Sequence, residues 1–225
     1  MEIKKKFILT IVLLSYLATA INGAIVITGL ENMAKDLDLN QSVLSWVQNS
    51  YVLAWGCFML LGGRLSDVFG RRGILNLSLL LFGIGSLFAG IATSATILIF
   101  SRFIQGVGAS ILAPTSLALI MDYFTGEERI KAIAWYSSIS GLGMCIGLVI
   151  GGTLASFFSW RYGFFIYLPL IVFMLIVSMK VLNKNKQKHS KGYFDICGTI
   201  ASVIGIFSFV YAVNGASNIW LWLIV

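Results

Sequence analysis

Charged residues are scarce in this sequence. They make up 11% of it, whereas a soluble domain carries roughly 25%, so the chain cannot cover a water-facing surface and a soluble fold is excluded. The charges are also clustered. Aspartate, glutamate, lysine, arginine and histidine are absent between Lys6 and Glu31, Asp38 and Arg64, Arg72 and Arg102, Lys131 and Arg161, Arg161 and Lys180, and after Asp195. Each run approaches or exceeds the roughly 20 apolar residues with which a helix crosses a bilayer.

Cysteine and histidine are equally sparse. The three cysteines (Cys57, Cys145 and Cys197) all fall in apolar runs, and an odd count without an extracellular cluster argues against a disulfide framework. The one histidine, His189, lies in a basic segment. Since the apolar runs contain no serine–histidine pair, aspartate pair or metal-ligand cluster, we expect neither an enzyme nor a bound metal or cofactor.

The uncharged runs predict an all-α fold, a polytopic membrane helix bundle, because backbone polar groups in lipid must be satisfied within each helix. We expect helices at 7–29, 43–62, 74–92, 96–121, 132–156, 162–182 and 194–214, and an eighth beginning near Ile219. This predicts a six-helix bundle at 1–182, a basic cytoplasmic linker at 183–193 that contacts anionic headgroups, and the seventh and incipient eighth helices at 194–225. Because the sequence stops inside an apolar run, we expect a fragment of a longer chain.

Lysine and arginine in the short loops predict the orientation. One side of the predicted bundle holds Lys4, Lys5, Lys6, Arg64, Arg71, Arg72, Arg129, Lys131, Lys180, Lys184, Lys186, Lys188 and Lys191, and the other holds only Lys35 and Arg161. The first side, and with it the N terminus, is predicted to be cytoplasmic, so the formal charge of +7 indicates topology rather than a nucleic-acid partner. A cleaved signal peptide ending near Ala20 is the alternative for the first helix. We favour an uncleaved helix because the apolar run continues to Leu30.

The loop after the second helix carries a patterned set of residues. Residues 63–73 read G-R-L-S-D-V-F-G-R-R-G, with Gly63, Asp67, Gly70, Arg71 and Arg72 at the patterned positions. The glycines permit a tight turn, and Asp67 can pair with an arginine. A basic loop that merely contains glycine is the alternative. The stretch resembles the loop signature G-x-L-x-D-x-x-G-R-[RK] of the major facilitator superfamily, and the resemblance implies a cytoplasmic charge latch of Asp67, Arg71 and Asp122.

The fourth and fifth helices extend this resemblance. Residues 102–110 read R-F-I-Q-G-V-G-A-S and are similar to the motif R-x-x-Q-G-x-G-A-[AS]. The glycines of the fifth helix, Gly143, Gly147, Gly151 and Gly152, resemble the antiporter motif G-x-x-x-G-P-x-x-G-G, although Leu148 stands where proline is usual. Glycines at i, i+4 and i+8 also let another helix pack closely, so a simple packing seam is the alternative.

Two further stretches narrow the resemblance. Residues 160–169 are similar to W-R-W-x-F-x-[IL]-N-x-P, and residues 194–198 to the F-D-x-x-G that opens an extra helix pair. The sequence thus resembles the 14-helix drug:proton antiporter branch over about residues 7–214. The resemblance implies the N-terminal six-helix half of that fold plus the start of the extra pair, in a bacterial plasma (inner) membrane. It also implies a small amphipathic substrate, a proton gradient as energy source, and as partners the membrane lipid and a missing C-terminal half.

The first helix departs from the branch. Asn22 stands where a membrane aspartate is usual, and Glu31 replaces a proline at the outer mouth. Proton coupling needs a group that gains and loses a proton within the pathway. Among the predicted first six helices, Glu31 is the one carboxylate near such a pathway.

A polar layer is predicted in the outer half of the bundle. At about 1.5 Å per residue, depth counting places Asn22, Gln48, Asn49, Arg102 and Gln105 at similar levels, with Asn22 roughly 10 Å inside. Polar groups are costly in lipid, so we expect them to face one another or a water-filled cavity. A structural hydrogen-bond cluster, or Arg102 extending to the outer surface, are the alternatives to a substrate and proton pathway that also includes Glu31.

The sequence therefore favours a secondary transporter working by alternating access, exporting amphipathic drugs or toxic compounds in exchange for protons. A dedicated metabolite exporter or facilitator with different coupling remains open because of Asn22. A truncated membrane protein without transport activity is the third alternative.

Overall fold

The computed structural model describes residues 2–182 and, beyond them, only positions 198, 201, 204, 205 and 208. The helices are α1 (Glu2–Leu37), α2 (Gln41–Phe69), α3 (Arg71–Gly90), α4 (Ala95–Tyr123), α5 (Gly126–Phe157), α6 (Tyr162–Phe165) and α7 (Tyr167–Val181). α6 and α7 follow each other directly and form the sixth span. The described part thus contains six helical segments long and apolar enough to cross a membrane, and the predicted all-α bundle is confirmed.

Three predicted segments lie beyond the residues that the structure describes. The basic linker at 183–193, the seventh helix at 194–214 and the eighth helix near Ile219 lie outside the described residues, apart from the isolated positions given above. They stay predictions, as does the division of the chain into three parts.

α1 is longer than predicted, because polar side chains hold its outer end in a helix. Lys35 pairs with Glu31 one turn earlier at 2.7 Å, and the amide of Asn32 donates to the backbone oxygen of Ala155 on α5 at 2.6 Å. The predicted end at residue 29 is therefore wrong, since α1 continues to Leu37. Asn22 lies roughly 22 Å from that end at about 1.5 Å per residue, rather than 10 Å.

The turn between α2 and α3 is confined to one residue. α2 continues through Gly63 as far as Phe69, so the turn predicted at Gly63 is wrong. Gly70 has φ 95°, a left-handed conformation that glycine adopts without steric cost. A single residue therefore reverses the chain on the predicted cytoplasmic side.

α4 is the centre of the bundle. It packs along α2 and α3 and also touches α1, while α1 packs along α5. Small residues make these contacts close: a Cβ added to Gly62 on α2 would lie 2.7 Å from the Cα of Ile111, and one added to Gly108 would lie 2.5 Å from the backbone nitrogen of Phe82 on α3. Glycine at these positions lets the helix backbones touch, as in other membrane bundles.

Two apolar clusters form the core. The larger one runs from Ile8 to Leu182 in the sequence and includes Ile21 and Phe82. The smaller one lies around Val26, Met33, Leu98, Trp160 and Phe164 near the predicted outer ends of the helices. On α4, Arg102 and Gln105 lie between Leu98 of the smaller cluster and Ala109 of the larger one. A polar layer can therefore occupy the boundary between two apolar regions.

Candidate functional site

Arg102 lies inside the bundle, with 2% of its surface exposed. Its Nη1 donates to Oδ1 of Asn22 on α1 at 3.3 Å and to Oε1 of Gln105 one turn along α4. Its Nε donates to the backbone oxygen of Val47 on α2 at 3.3 Å. The side chain thus turns inward rather than extending to the outer surface, and it joins three helices.

Tyr51 of α2 covers the guanidinium. The Cζ atom of Arg102 lies 4.3 Å from the ring centroid of Tyr51, a distance at which the ring face attracts a cation. Gly106 makes this approach possible, because a Cβ there would lie 2.5 Å from the backbone oxygen of Tyr51. The glycine one turn after Arg102 therefore positions the aromatic partner of its charge.

Gln105 links this group to α3. Its Nε2 donates to Oγ of Ser86 at 2.7 Å, and the Ser86 hydroxyl donates to the backbone oxygen of Phe82 at 2.7 Å. A Cβ added to Gly85 on α3 would lie 2.6 Å from the backbone nitrogen of Gln105, so a larger residue would separate the two helices. Through this chain of hydrogen bonds, Arg102 is tied to α1, α2 and α3 from its place on α4.

Two polar atoms beside Arg102 are buried without a hydrogen-bond partner in the described part of the chain: Nδ2 of Asn22 and Oη of Tyr167. Tyr167 begins α7 and packs edge-on against Phe82 with ring centroids 5.5 Å apart. The backbone oxygen of Phe82 accepts from the Ser86 hydroxyl, which links Tyr167 through its ring partner to the hydrogen-bond chain of Gln105. Buried polar atoms normally find partners, so these two mark an unusual position.

No carboxylate neutralises Arg102 among the described contacts. Its partners are amide and backbone oxygens and an aromatic ring. Glu31, predicted to belong to the pathway, is 79% exposed at its side chain and pairs with Lys35, so the structure does not bring it into this group.

Gln48 and Asn49 are half-buried on α2. The described contacts of Arg102 with α2 are the carbonyl of Val47 and the ring of Tyr51. Of the predicted polar layer, the structure gathers Asn22, Arg102 and Gln105. Gln48 and Asn49 follow Val47 directly on α2, at rotations of about 100° and 200° from it at 3.6 residues per turn.

The residues of the predicted charge latch meet on the opposite side of the bundle. Arg71 pairs with Asp67 across the Gly70 turn, and its Nε lies 3.1 Å from Oδ2 of Asp122 at the end of α4. Its Nη1 also donates to Oγ of Ser66 at 2.7 Å. Arg72 is half-buried beside them. One arginine therefore connects the ends of α2, α3 and α4.

The glycines of α5 divide into two groups. Gly143, Gly147 and Gly151 face α1: a Cβ added to Gly147 would lie 2.8 Å from Cβ of Ala24 and 2.9 Å from the backbone oxygen of Ile21. Gly152 has no described atom within 4 Å of such a Cβ. Three of the four predicted ridge residues thus form a packing seam with α1, and Gly152 lies on another face.

A second ionic group lies at the outer ends of the helices. Arg161 pairs with Asp36 at the end of α1, and its Nη2 donates to the backbone oxygen of Ala92 after α3 at 3.0 Å. The indole of Trp160 donates to the same Asp36 carboxylate at 3.1 Å. We call Asp36, Trp160, Arg161 and the Ala92 carbonyl the outer clasp.

Sequence reasoning missed Tyr51, Ser86 and Tyr167, as well as the outer clasp. A signal for Tyr167 was available, because it occupies the asparagine position of the pattern W-R-W-x-F-x-[IL]-N-x-P. Tyr51 and Ser86 stand in apolar runs without any pattern that distinguishes a site residue from a packing residue.

Known proteins are similar to this chain. A family model described as Major Facilitator Superfamily matches residues 12–225. The puromycin resistance protein pur8 of Streptomyces alboniger is 34% identical over 213 residues, which cover 94% of this chain and 42% of that protein. The multidrug transporter protein MdtP of Bacillus subtilis (strain 168) is 29% identical over 219 residues, covering 97% and 40%. The chain thus spans about two fifths of the length of these relatives.

A solved structure supports the fold. The crystal structure of the peptide transporter POT in complex with sulfate superposes with a TM-score of 0.70 at 16% identity, covering 97% of this chain and 48% of that one. At this identity the likeness concerns the fold alone. Since the family model matches almost the whole chain and the described bundle has six apolar spans, this multi-pass membrane protein belongs to the Major Facilitator Superfamily of transporters.

Proposed function

We propose that the complete protein is a secondary active exporter that expels amphipathic drugs or other toxic compounds in exchange for protons. It would work by alternating access in a bacterial plasma membrane, with its N terminus in the cytoplasm and with a second half that completes the substrate path. The observation that carries the proposal is the buried Arg102 group, which joins four helices at the boundary between the apolar clusters. The relatives named for puromycin resistance and multidrug transport support the substrate class.

In this proposal Arg102 sets the charge of the substrate path. A charge inside a membrane is expensive and marks ion or substrate pathways in membrane proteins. Here the cost is incurred within a packed bundle, where Gln105, Asn22 and Tyr51 hold the guanidinium in one position. The path would open beside it when the two halves of the transporter move apart on one side.

The cytoplasmic charge latch would stabilise one of the alternating conformations. Arg71 joins Asp67 and Asp122 across three helix ends, and all three side chains are partly accessible. Their contact with the second half would depend on which side of the transporter is open.

The test is ethidium accumulation in cells that express the complete reading frame, measured with and without a protonophore. We expect efflux that the protonophore abolishes, and its loss in Arg102→Ala. Lys131→Ala, which removes an exposed cation of α5, should leave efflux unchanged. Wild-type efflux retained by well-expressed Arg102→Ala would contradict the proposed role of Arg102.

A dedicated metabolite exporter is the second candidate, and Asn22 favours it because the residue cannot titrate. Absence of ethidium efflux in confirmed membrane expression would support this candidate. Efflux gained only by Asn22→Asp would show that proton exchange needs the carboxylate that this chain lacks.

A further inference from the structure

The Arg102 group combines a buried positive charge with neutral partners. The described contacts of the guanidinium are the oxygens of Asn22, Gln105 and Val47 and the ring of Tyr51. Buried charges in proteins are normally paired, because an unpaired one loses its hydration without compensation. The described contacts of Arg102 thus include no compensating negative charge.

The orientation of Asn22 is fixed by chemistry. Arginine has donors and no acceptor, so the amide oxygen of Asn22 must face Arg102, and the amide NH₂ must point away from it. That NH₂ group is fully buried and has no described partner. The chemistry of arginine therefore fixes which end of the Asn22 amide is the donor without a described partner.

Tyr167 adds a second donor. Its side chain is 1% exposed, and its hydroxyl also has no described partner. Its ring packs edge-on against Phe82, whose backbone oxygen accepts from the Ser86 hydroxyl to which Gln105 donates. Tyr167 therefore adjoins the α3 side of the group around Arg102. Since Tyr51 lies over the guanidinium and the same guanidinium donates to Asn22, these two side chains and Tyr167 lie around Arg102 and its partner Gln105.

We propose that this region is a binding position for a small monovalent anion, which Arg102 attracts and to which Asn22 and Tyr167 donate hydrogen bonds. The two donors, the Asn22 amide and the Tyr167 hydroxyl, and the Arg102 cation have no described carboxylate beside them, so together they are complementary to an anion. A water molecule would satisfy the two donors but would leave the positive charge of Arg102 unpaired. The anion is either chloride or the carboxylate of a small molecule. This inference deepens the proposed function and rests on it only for the role of the anion in transport.

Asn22 itself predicts how the position is used. Replacing the amide by a carboxylate of almost the same shape would place a fixed negative charge 3.3 Å from Nη1 of Arg102, where the amide oxygen now lies. The bound anion would then be redundant and repelled. Asn22→Asp should therefore convert an anion-dependent protein into an anion-independent one.

The test uses the protein purified from its complete reading frame, and it measures the unfolding temperature at constant ionic strength. Chloride and, separately, formate replace the bulky sulfonate of a MES salt. We expect a saturable stabilisation by one or both anions, since a ligand that binds only the folded state raises its stability with concentration. Chloride alone would identify an inorganic ion, and formate alone a carboxylate; either supports the proposal.

Two variants and one control make the result specific. Tyr167→Phe keeps the ring against Phe82 and removes only the unpartnered hydroxyl, so it should fold normally. It should bind the anion about tenfold more weakly, the effect of losing one hydrogen bond to a charged group. Asn22→Asp should lose the anion response and be stabilised without it. Lys131→Ala should keep the wild-type response.

Absence of any anion-dependent stabilisation in the wild type would overturn the proposal, as would a response that survives in both Tyr167→Phe and Asn22→Asp. The first result is expected if a carboxylate elsewhere in the complete protein neutralises Arg102. Because this measurement does not involve transport, its failure leaves the efflux experiment and the proposed export activity untouched.

Discussion

The guanidinium of Arg102 on α4 lies 4.3 Å from the ring centroid of Tyr51 on α2, and this contact depends on Gly106. The Tyr51 ring covers one side of the site, and no sequence pattern predicted this. The Tyr51 ring stabilises part of the positive charge of Arg102, which no described carboxylate neutralises. It also holds the guanidinium toward Asn22.

The Tyr51 ring is expected to stabilise the protein through the cation. Tyr51→Leu should lower the free energy of unfolding by about 1–2 kcal/mol through loss of the cation–π contact, in addition to its packing cost. Tyr51→Phe keeps a ring over the guanidinium and should retain most of this stability. Thermal unfolding of the purified variants measures the difference, and equal losses in the two variants would contradict a contribution from the ring face.

The seam between α5 and α1 is expected to be intolerant of side chains. Gly147→Ala forces a Cβ to within 2.8 Å of Ala24, and overpacking of this kind costs about 1–3 kcal/mol. Gly152→Ala is the matched control on the same helix, since its Cβ meets no described atom within 4 Å. We expect reduced unfolding temperature and membrane yield for the first variant alone. A comparable loss in Gly152→Ala would show that this face of α5 is also closely packed.

Arg71 and Asp122 are expected to couple weakly. Their pair is partly exposed, with side-chain accessibilities of 17% and 43%, and such pairs contribute about 0.2–1 kcal/mol. A double-mutant cycle with Arg71→Ala and Asp122→Asn, read by thermal unfolding at low and high salt, measures the coupling. It should shrink as salt rises. Efflux that falls much more than stability in these variants would indicate a role in the conformational cycle, whereas unchanged efflux would contradict the latch.

The outer clasp is expected to need arginine rather than a generic cation. Arg161 uses Nη1 for Asp36 and Nη2 for the Ala92 carbonyl, and the single ammonium group of lysine cannot reproduce that planar pair. Arg161→Lys should therefore increase hydrogen exchange at the end of α3 and in the following loop. Lys35→Ala is the control, because Lys35 is 71% exposed and pairs only along its own helix with Glu31 in the described contacts. Equal exchange in both variants would exclude the clasp as a structural element.

Hydropathy predicts the number and order of the first six spans well, because the cost of burying charge in lipid is large and acts over whole segments. It predicts helix ends poorly. Glu31 and Asn32 look like loop residues, but one pairs within the helix and the other donates to Ala155. Depth counting predicted three members of the polar layer, Asn22, Arg102 and Gln105. It missed Tyr51, because height along a helix does not say which side chains of α2 face Arg102.

The glycine patterns predicted close helix–helix contacts better than they predicted turns. Gly63 and Gly70 belong to one motif, and only Gly70 reverses the chain. A glycine in the sequence can mean that the backbone adopts a conformation other residues disfavour, or that a neighbouring helix leaves no room for a side chain. The sequence alone does not distinguish these two reasons.

Arg102 shares its hydrogen bonds among α1, α2 and, through Gln105 and Ser86, α3. This arrangement has a mechanical consequence. None of the four helices α1, α2, α3 and α4 can shift along its axis by even half a turn without breaking a buried hydrogen bond next to the buried charge of Arg102. The outer half of the bundle should therefore move as one stiff body, and deformation during any conformational change should be concentrated at the exposed helix ends, where water can replace the contacts that are lost.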